Sequence, residues 1–104
     1  MMCAVTVRRL KPGTYDEFRA AWEPTPWPPQ LVRAIVSRNE QEPDQVMTAS
    51  FFDVHPSELE LLRDEPDLLN AEDRRLARIA GFQEAVVFKG IFEIAEELRA
   101  PRTA

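Results

Sequence analysis

The sequence predicts an α+β fold, a single four-stranded antiparallel sheet with its helices packed on one face, in the order β-α-β-β-α-β. Three observations predict it. The hydrophobic period changes along the chain from two to helical, then to two successive runs of two, then to a long helical stretch, and back to two. The middle pair of period-two runs is joined by a short polar connection, which suits antiparallel pairing. Each helical stretch opens with a Thr or Ser three residues ahead of a Glu, a spacing that satisfies orphan backbone donors at a helix start.

Residues 3–10 (Cys-Ala-Val-Thr-Val-Arg-Arg-Leu) are rich in β-branched types and alternate, with Cys3, Val5 and Val7 on one face and Thr6, Arg8 and Leu10 on the other. They form the first strand, and Lys11-Pro12-Gly13 stops it. Thr14 and Glu17 stand at capping-box spacing for helix one, whose Tyr15, Phe18 and Trp22 make one apolar stripe. Glu23 to Gln30 holds four of the nine prolines. Each fixes φ and removes a backbone donor, so this stretch is a loop inside the domain.

Residues 31–38 and 45–53 are the next two strands, joined through Asn39 to Asp44. Ser57 and Glu60 repeat the capping spacing, and Leu59, Leu61 and Leu62 give helix two a short stripe. Pro66 interrupts it. Leu68, Leu69, Leu76 and Ile79 then resume helical spacing as far as Gly81, a residue type suited to the position after a helix end. Residues 84–93 form the last strand, and 96–104 are expected to be a frayed tail of the one domain spanning 1–104.

With right-handed crossovers, these elements make a split β-α-β, ferredoxin-like sheet with both helices on one side. A sheet wetted on its other side would alternate cleanly between apolar and polar. Instead, Leu31 to Val36, Met47 to Phe52 and Ala85 to Phe92 carry apolar residues on both faces. The helices cover only one of them, so a homodimer packed sheet against sheet is expected.

Composition narrows the function. The chain has 104 residues, with 13 Lys and Arg against 18 Asp and Glu, a net charge of −5. An acidic surface repels phosphate backbones and anionic headgroups, so neither nucleic acid nor membrane is an expected partner. The single Cys3 excludes an internal disulfide, and no charged segment followed by an apolar run suggests export, so a cytoplasmic location is expected.

Several side chains are candidates for chemistry. His55, the only histidine, sits where strand three meets helix two and can serve as a general base toward an acidic phenol; its structural alternative is a loop-edge residue bonded to backbone. It lacks companions for a metal, and none is expected. Trp22 and Trp27 bracket the proline-rich loop, an arrangement suited to an aromatic lid, although Trp22 also completes the helix-one stripe. Arg8, Arg33 and Lys89 share strands with hydroxyl residues and would receive an anionic or phenolic oxygen if they converged; otherwise they pair with acids at strand ends. Glu58, Glu60, Asp64 and Glu65 read as a solvated helix face.

The stretches at 5–18 (Val-Thr-Val-Arg-Arg-Leu-Lys-Pro-Gly-Thr-Tyr-Asp-Glu-Phe) and 46–53 (Val-Met-Thr-Ala-Ser-Phe-Phe-Asp), with the helix from Ser57 onward, resemble the dimeric α+β barrel superfamily, and within it the antibiotic biosynthesis monooxygenase-like group. The resemblance covers residues 3–93. It implies a pocket between sheet and helices, on the face shared by Thr6, Thr48, Ser50 and Phe52. It also implies activities ranging from cofactor-independent oxidation of polycyclic phenols to haem degradation. At the positions where haem-degrading members carry Asn, Trp and His this chain has Thr6, Leu61 and Ala71, so haem degradation is not expected. Where the phenol-oxidising members carry Trp and Asn it has Phe52 and Thr48, a pocket of similar shape with altered polar groups.

The expectation is a protein for a small apolar or aromatic ligand, either a cofactor-free monooxygenase on phenolic or polyketide-like compounds or a binding protein, with no cofactor. His55 is the candidate catalytic residue, and Thr6, Trp22, Trp27, Arg33, Thr48 and Phe52 are the candidate ligand contacts. The alternative is a non-catalytic homodimer for binding or regulation whose pocket is filled by its own Phe51, Phe52, Phe82, Phe88 and Phe92. In that case no cavity of about 300 Å3, the lower end for ligand sites, would remain.

Overall fold

A computed structural model describes residues 1–101. Four strands, β1 (Met2–Leu10), β2 (Leu31–Arg38), β3 (Gln45–Phe52) and β4 (Gln83–Glu93), form one antiparallel sheet in the order β2-β3-β1-β4. Helix α1 (Tyr15–Trp22) links β1 to β2, and helices α2 (Pro56–Arg63) and α3 (Pro66–Ile79) link β3 to β4 through a short 3-10 turn. The architecture is the expected ferredoxin-like α+β sheet. Part of the expected tail, residues 102–104, lies outside the described residues.

Register assigns the faces. Pairing of Ala4 with Ser50, Thr6 with Thr48 and Arg8 with Val46 puts these residues on the helix side, together with Lys89 and Ile91 of β4. The core lies there: Leu10, Phe18, Trp22, Val46 and Ile79 are buried against one another. Phe18, on the stripe read from the sequence, is 0% exposed.

Three local expectations are corrected. Thr14 precedes α1 but makes no cap bond to it. Its backbone, at φ −104° and ψ 15°, lacks the extended geometry of an N-cap. Its hydroxyl donates instead to the Lys11 carbonyl at 2.7 Å. Helix α2 begins before Ser57, because extended His55 is the N-cap and Pro56, with φ already suited to a helix, takes the first turn. Gly81 is not a left-handed cap: among the described residues only Gly13 has positive φ, 74°, in the turn that ends β1. Gly81 lies in the 3-10 turn that carries α3 into β4.

The other face of the sheet has no cover within the chain. Met47, Phe88 and Phe92 are 40%, 46% and 50% exposed. The Phe88 and Phe92 rings stack with centroids 6.1 Å apart. Gly90 lies under both, and a Cβ there would meet them at 3.1 and 3.2 Å. The molecule is a slab measuring 43 × 41 × 22 Å. Its radius of gyration, 15.2 Å, exceeds the ~13 Å typical of a compact domain this long.

Candidate functional site

Helix α2 stands off from the sheet. None of its residues is buried, and its apolar Leu59 and Leu62, with Leu68 and Leu69 of α3, look across a gap at the sheet. Pro66 permits this arrangement by starting a new helix just after α2 has ended at Arg63, so that α2 need not continue the packing line that α3 follows along α1. Glu65 caps α3 by accepting from the Leu68 backbone N–H at 2.9 Å.

The gap is a cavity of about 490 Å3. Its sheet wall is Met2, Ala4 and Thr6 of β1, Phe52 at the end of β3, and Lys89 and Ile91 of β4, while Pro28 and Gln30 of the proline-rich loop close one side. Arg63 and Glu72 bring charge to the helical wall. The remaining wall is predominantly apolar, the usual make-up of a small-molecule site.

Beside the cavity lies a polar cluster within the core. Arg8 is 5% exposed. Its Nη1 donates to Thr48 Oγ1 at 3.0 Å and its Nε to Gln83 Oε1 at 3.1 Å, with the guanidinium 5.8 Å from the Phe18 ring centre. Burial lowers the Arg8 pKa from the ordinary guanidinium value; Arg75 adds to this and Glu72 opposes it. Arg75 pairs with Glu72 and lies over the Trp22 ring, 5.2 Å from its centre.

Of the ligand residues expected from sequence, Thr6 and Phe52 line the cavity. Thr48 is on the same face but beneath Arg8. Trp22 is in the core, with its indole N–H unpartnered. Trp27 is 46% exposed and faces a separate surface concavity beside Glu65, Asn70 and Arg74. Arg33 is on the opposite face of the sheet, its guanidinium 5.1 Å from the Phe51 ring centre. His55 is outside the cavity, with Nδ1 accepting from the Ser57 backbone N–H at 3.2 Å and lying 2.8 Å from its hydroxyl. Arg8, Arg33 and Lys89 therefore do not converge.

The cavity residues that sequence reasoning missed as ligand contacts include the whole helical wall, Leu59, Leu62, Leu68 and Glu72 among them. Their signal was the interrupted apolar stripe around Pro66, legible as helix packing but not as a wall. The phenylalanines expected to fill a closed pocket divide otherwise. Phe52 lines the cavity, Phe82 packs on the core, and Phe51, Phe88 and Phe92 belong to the opposite face by register.

No family model and no curated protein matches the sequence. Solved structures match the fold. An antibiotic biosynthesis monooxygenase-like protein from Chloroflexus aurantiacus J-10-fl superposes with a TM-score of 0.68 at 16% identity, over 94% of this chain and 96% of that one. SnoaB, a cofactor-independent oxygenase from Streptomyces nogalater, gives 0.67 at 16% identity over 95% and 97%. An uncharacterised NIPSNAP domain protein from Burkholderia xenovorans gives 0.60 at 15% identity over 96% and 100%. At these identities the likeness is one of fold. The chain has the ferredoxin-like α+β fold of antibiotic biosynthesis monooxygenase-like proteins.

Proposed function

We propose that the protein is a homodimer that binds a small apolar or aromatic compound, of phenolic or polyketide-like type, in the cavity between its sheet and α2 and α3. The observation that carries this reading is the open cavity of about 490 Å3 at that place. A pocket plugged by its own side chains would have no such space, and three of the phenylalanines expected to plug it belong to the other face. Binding and orientation are what the lining supplies: apolar leucines, the Phe52 ring and the Thr6 hydroxyl.

Cofactor-free oxygenation is the second reading, favoured by the fold likeness to SnoaB. Such chemistry needs a ligand that is readily deprotonated and held away from water. His55 lies outside the lining and acts as a helix cap, which favours binding over base catalysis by this residue.

The homodimer is supported by the uncovered apolar face around Phe88 and Phe92. No helix among the described residues is long and apolar enough to cross a membrane.

Native mass spectrometry of freshly purified protein, followed by fluorescence titration with polycyclic phenols, tests the proposal. The expected result is a dimer mass with one small molecule per chain, or an empty dimer that takes up phenols. A protein that rejects every apolar probe contradicts it. Oxygen uptake in the presence of a bound phenol separates the oxygenase reading from simple binding.

A further inference from the structure

Resting on the reading of the cavity as a ligand site, we propose that it selects an apolar compound bearing a single carboxylate, and that Lys89 holds the carboxylate. Three charged side chains, Arg63, Glu72 and Lys89, reach the cavity wall. Glu72 is paired with Arg75, which lies outside the wall. Among the described residues neither Lys89 nor Arg63 has an ion-pair partner. In a chain with 18 acidic and 13 basic residues, the cavity is thus a local exception, apolar in its walls and cationic in its unpaired charge.

The fold places a hydrogen-bond donor beside that cation. Thr6 of β1 and Lys89 of β4 are direct cross-strand partners on the helix side of the sheet. Side chains so placed have Cβ atoms about 5 Å apart, close enough for a hydroxyl and an ammonium to meet one carboxylate from two sides. Lys89 is exposed where it reaches the cavity wall, so a carboxylate held there gains a screened, charge-assisted contact while the apolar body of the ligand is covered. A cationic ligand would face Lys89 and Arg63 with no free carboxylate to receive it.

The test uses three probes of one shape, 2-naphthoate, 2-naphthalenemethanol and 2-naphthylmethylammonium, titrated by calorimetry into the intact protein and into Lys89→Met and Lys89→Arg. An exposed charge-assisted contact is worth roughly tenfold in affinity once solvent screening is allowed for. The expected result is naphthoate binding about tenfold tighter than the alcohol, a preference that weakens with added salt, with the ammonium weakest. Lys89→Met should bring naphthoate down to the alcohol, while Lys89→Arg keeps the preference. Equal binding of naphthoate and the alcohol, or a preference that survives Lys89→Met, overturns this inference and leaves the apolar site standing. Binding of none of the probes removes the site and the inference together.

Discussion

Replacing Phe88 and Phe92 together by Lys should turn a dimer into a folded monomer. The two rings are 46% and 50% exposed in the isolated chain. A large aromatic side chain buries up to ~200 Å2, so each ring has roughly 100 Å2 left to cover. At about 25 cal/mol per Å2 this is about 2.5 kcal/mol per ring, and about 10 kcal/mol for the four rings of a symmetric pair. Association costs about 4–15 kcal/mol in lost freedom, so rings contributing at this level decide whether the dimer forms. Neither residue belongs to the core beneath the helices, and the variant should keep its circular dichroism spectrum and ligand cavity. Sedimentation velocity is the assay. A wild-type protein that sediments as a folded monomer at ordinary concentrations, or a double variant that still sediments as a dimer, would refute the reasoning.

Other outcomes follow from the core, the cap and the buried thiol. Phe18→Ala, at a fully buried site, should cost about 3–5 kcal/mol in urea denaturation; a loss below about 1 kcal/mol would place the core elsewhere. His55→Ala should cost about 1 kcal/mol through the lost helix cap, and His55→Asn should recover most of it. Equal losses in thermal melts would rule out capping as the role of this side chain. Burial pushes the Cys3 thiol above its ordinary value near pH 9, so folding favours the protonated form. Its contribution to stability is full at neutral pH and is lost as the pH rises from that ordinary value through the folded one. Stability measured from pH 7 to 10.5 should therefore fall less in Cys3→Val than in the wild type; parallel curves would contradict the shift.

The strands were legible because their signal is local. Alternation in residues 3–10 assigns Thr6, Arg8 and Leu10 to one face, and the structure puts them there. Position along a face was not legible. Thr48 shares the side of Phe52, but the long Arg8 side chain crosses from the neighbouring strand and occupies it, a tertiary contact that no period encodes. Arg33 was lost for a different reason. The β2–β3 register shifts between Leu31 and Arg33, so Leu31 opposite Phe52 faces the helices while Arg33 opposite Phe51 faces away. A one-residue irregularity reverses every side chain beyond it, and sequence alternation carries little warning of it. The cavity itself depends on how far α2 stands from the sheet, which Pro66 permits without specifying.

Filling the cavity from its floor tests the site most directly. Ala4 lines it on β1, half-buried on the helix side, and Ala4→Phe would project a ring into the open space without displacing a core residue. Titration of 2-naphthalenemethanol into both proteins should give saturable binding to the wild type and none to the variant, with the variant at least as resistant to heat. Undiminished binding by a folded Ala4→Phe protein would mean that the ligand goes somewhere else.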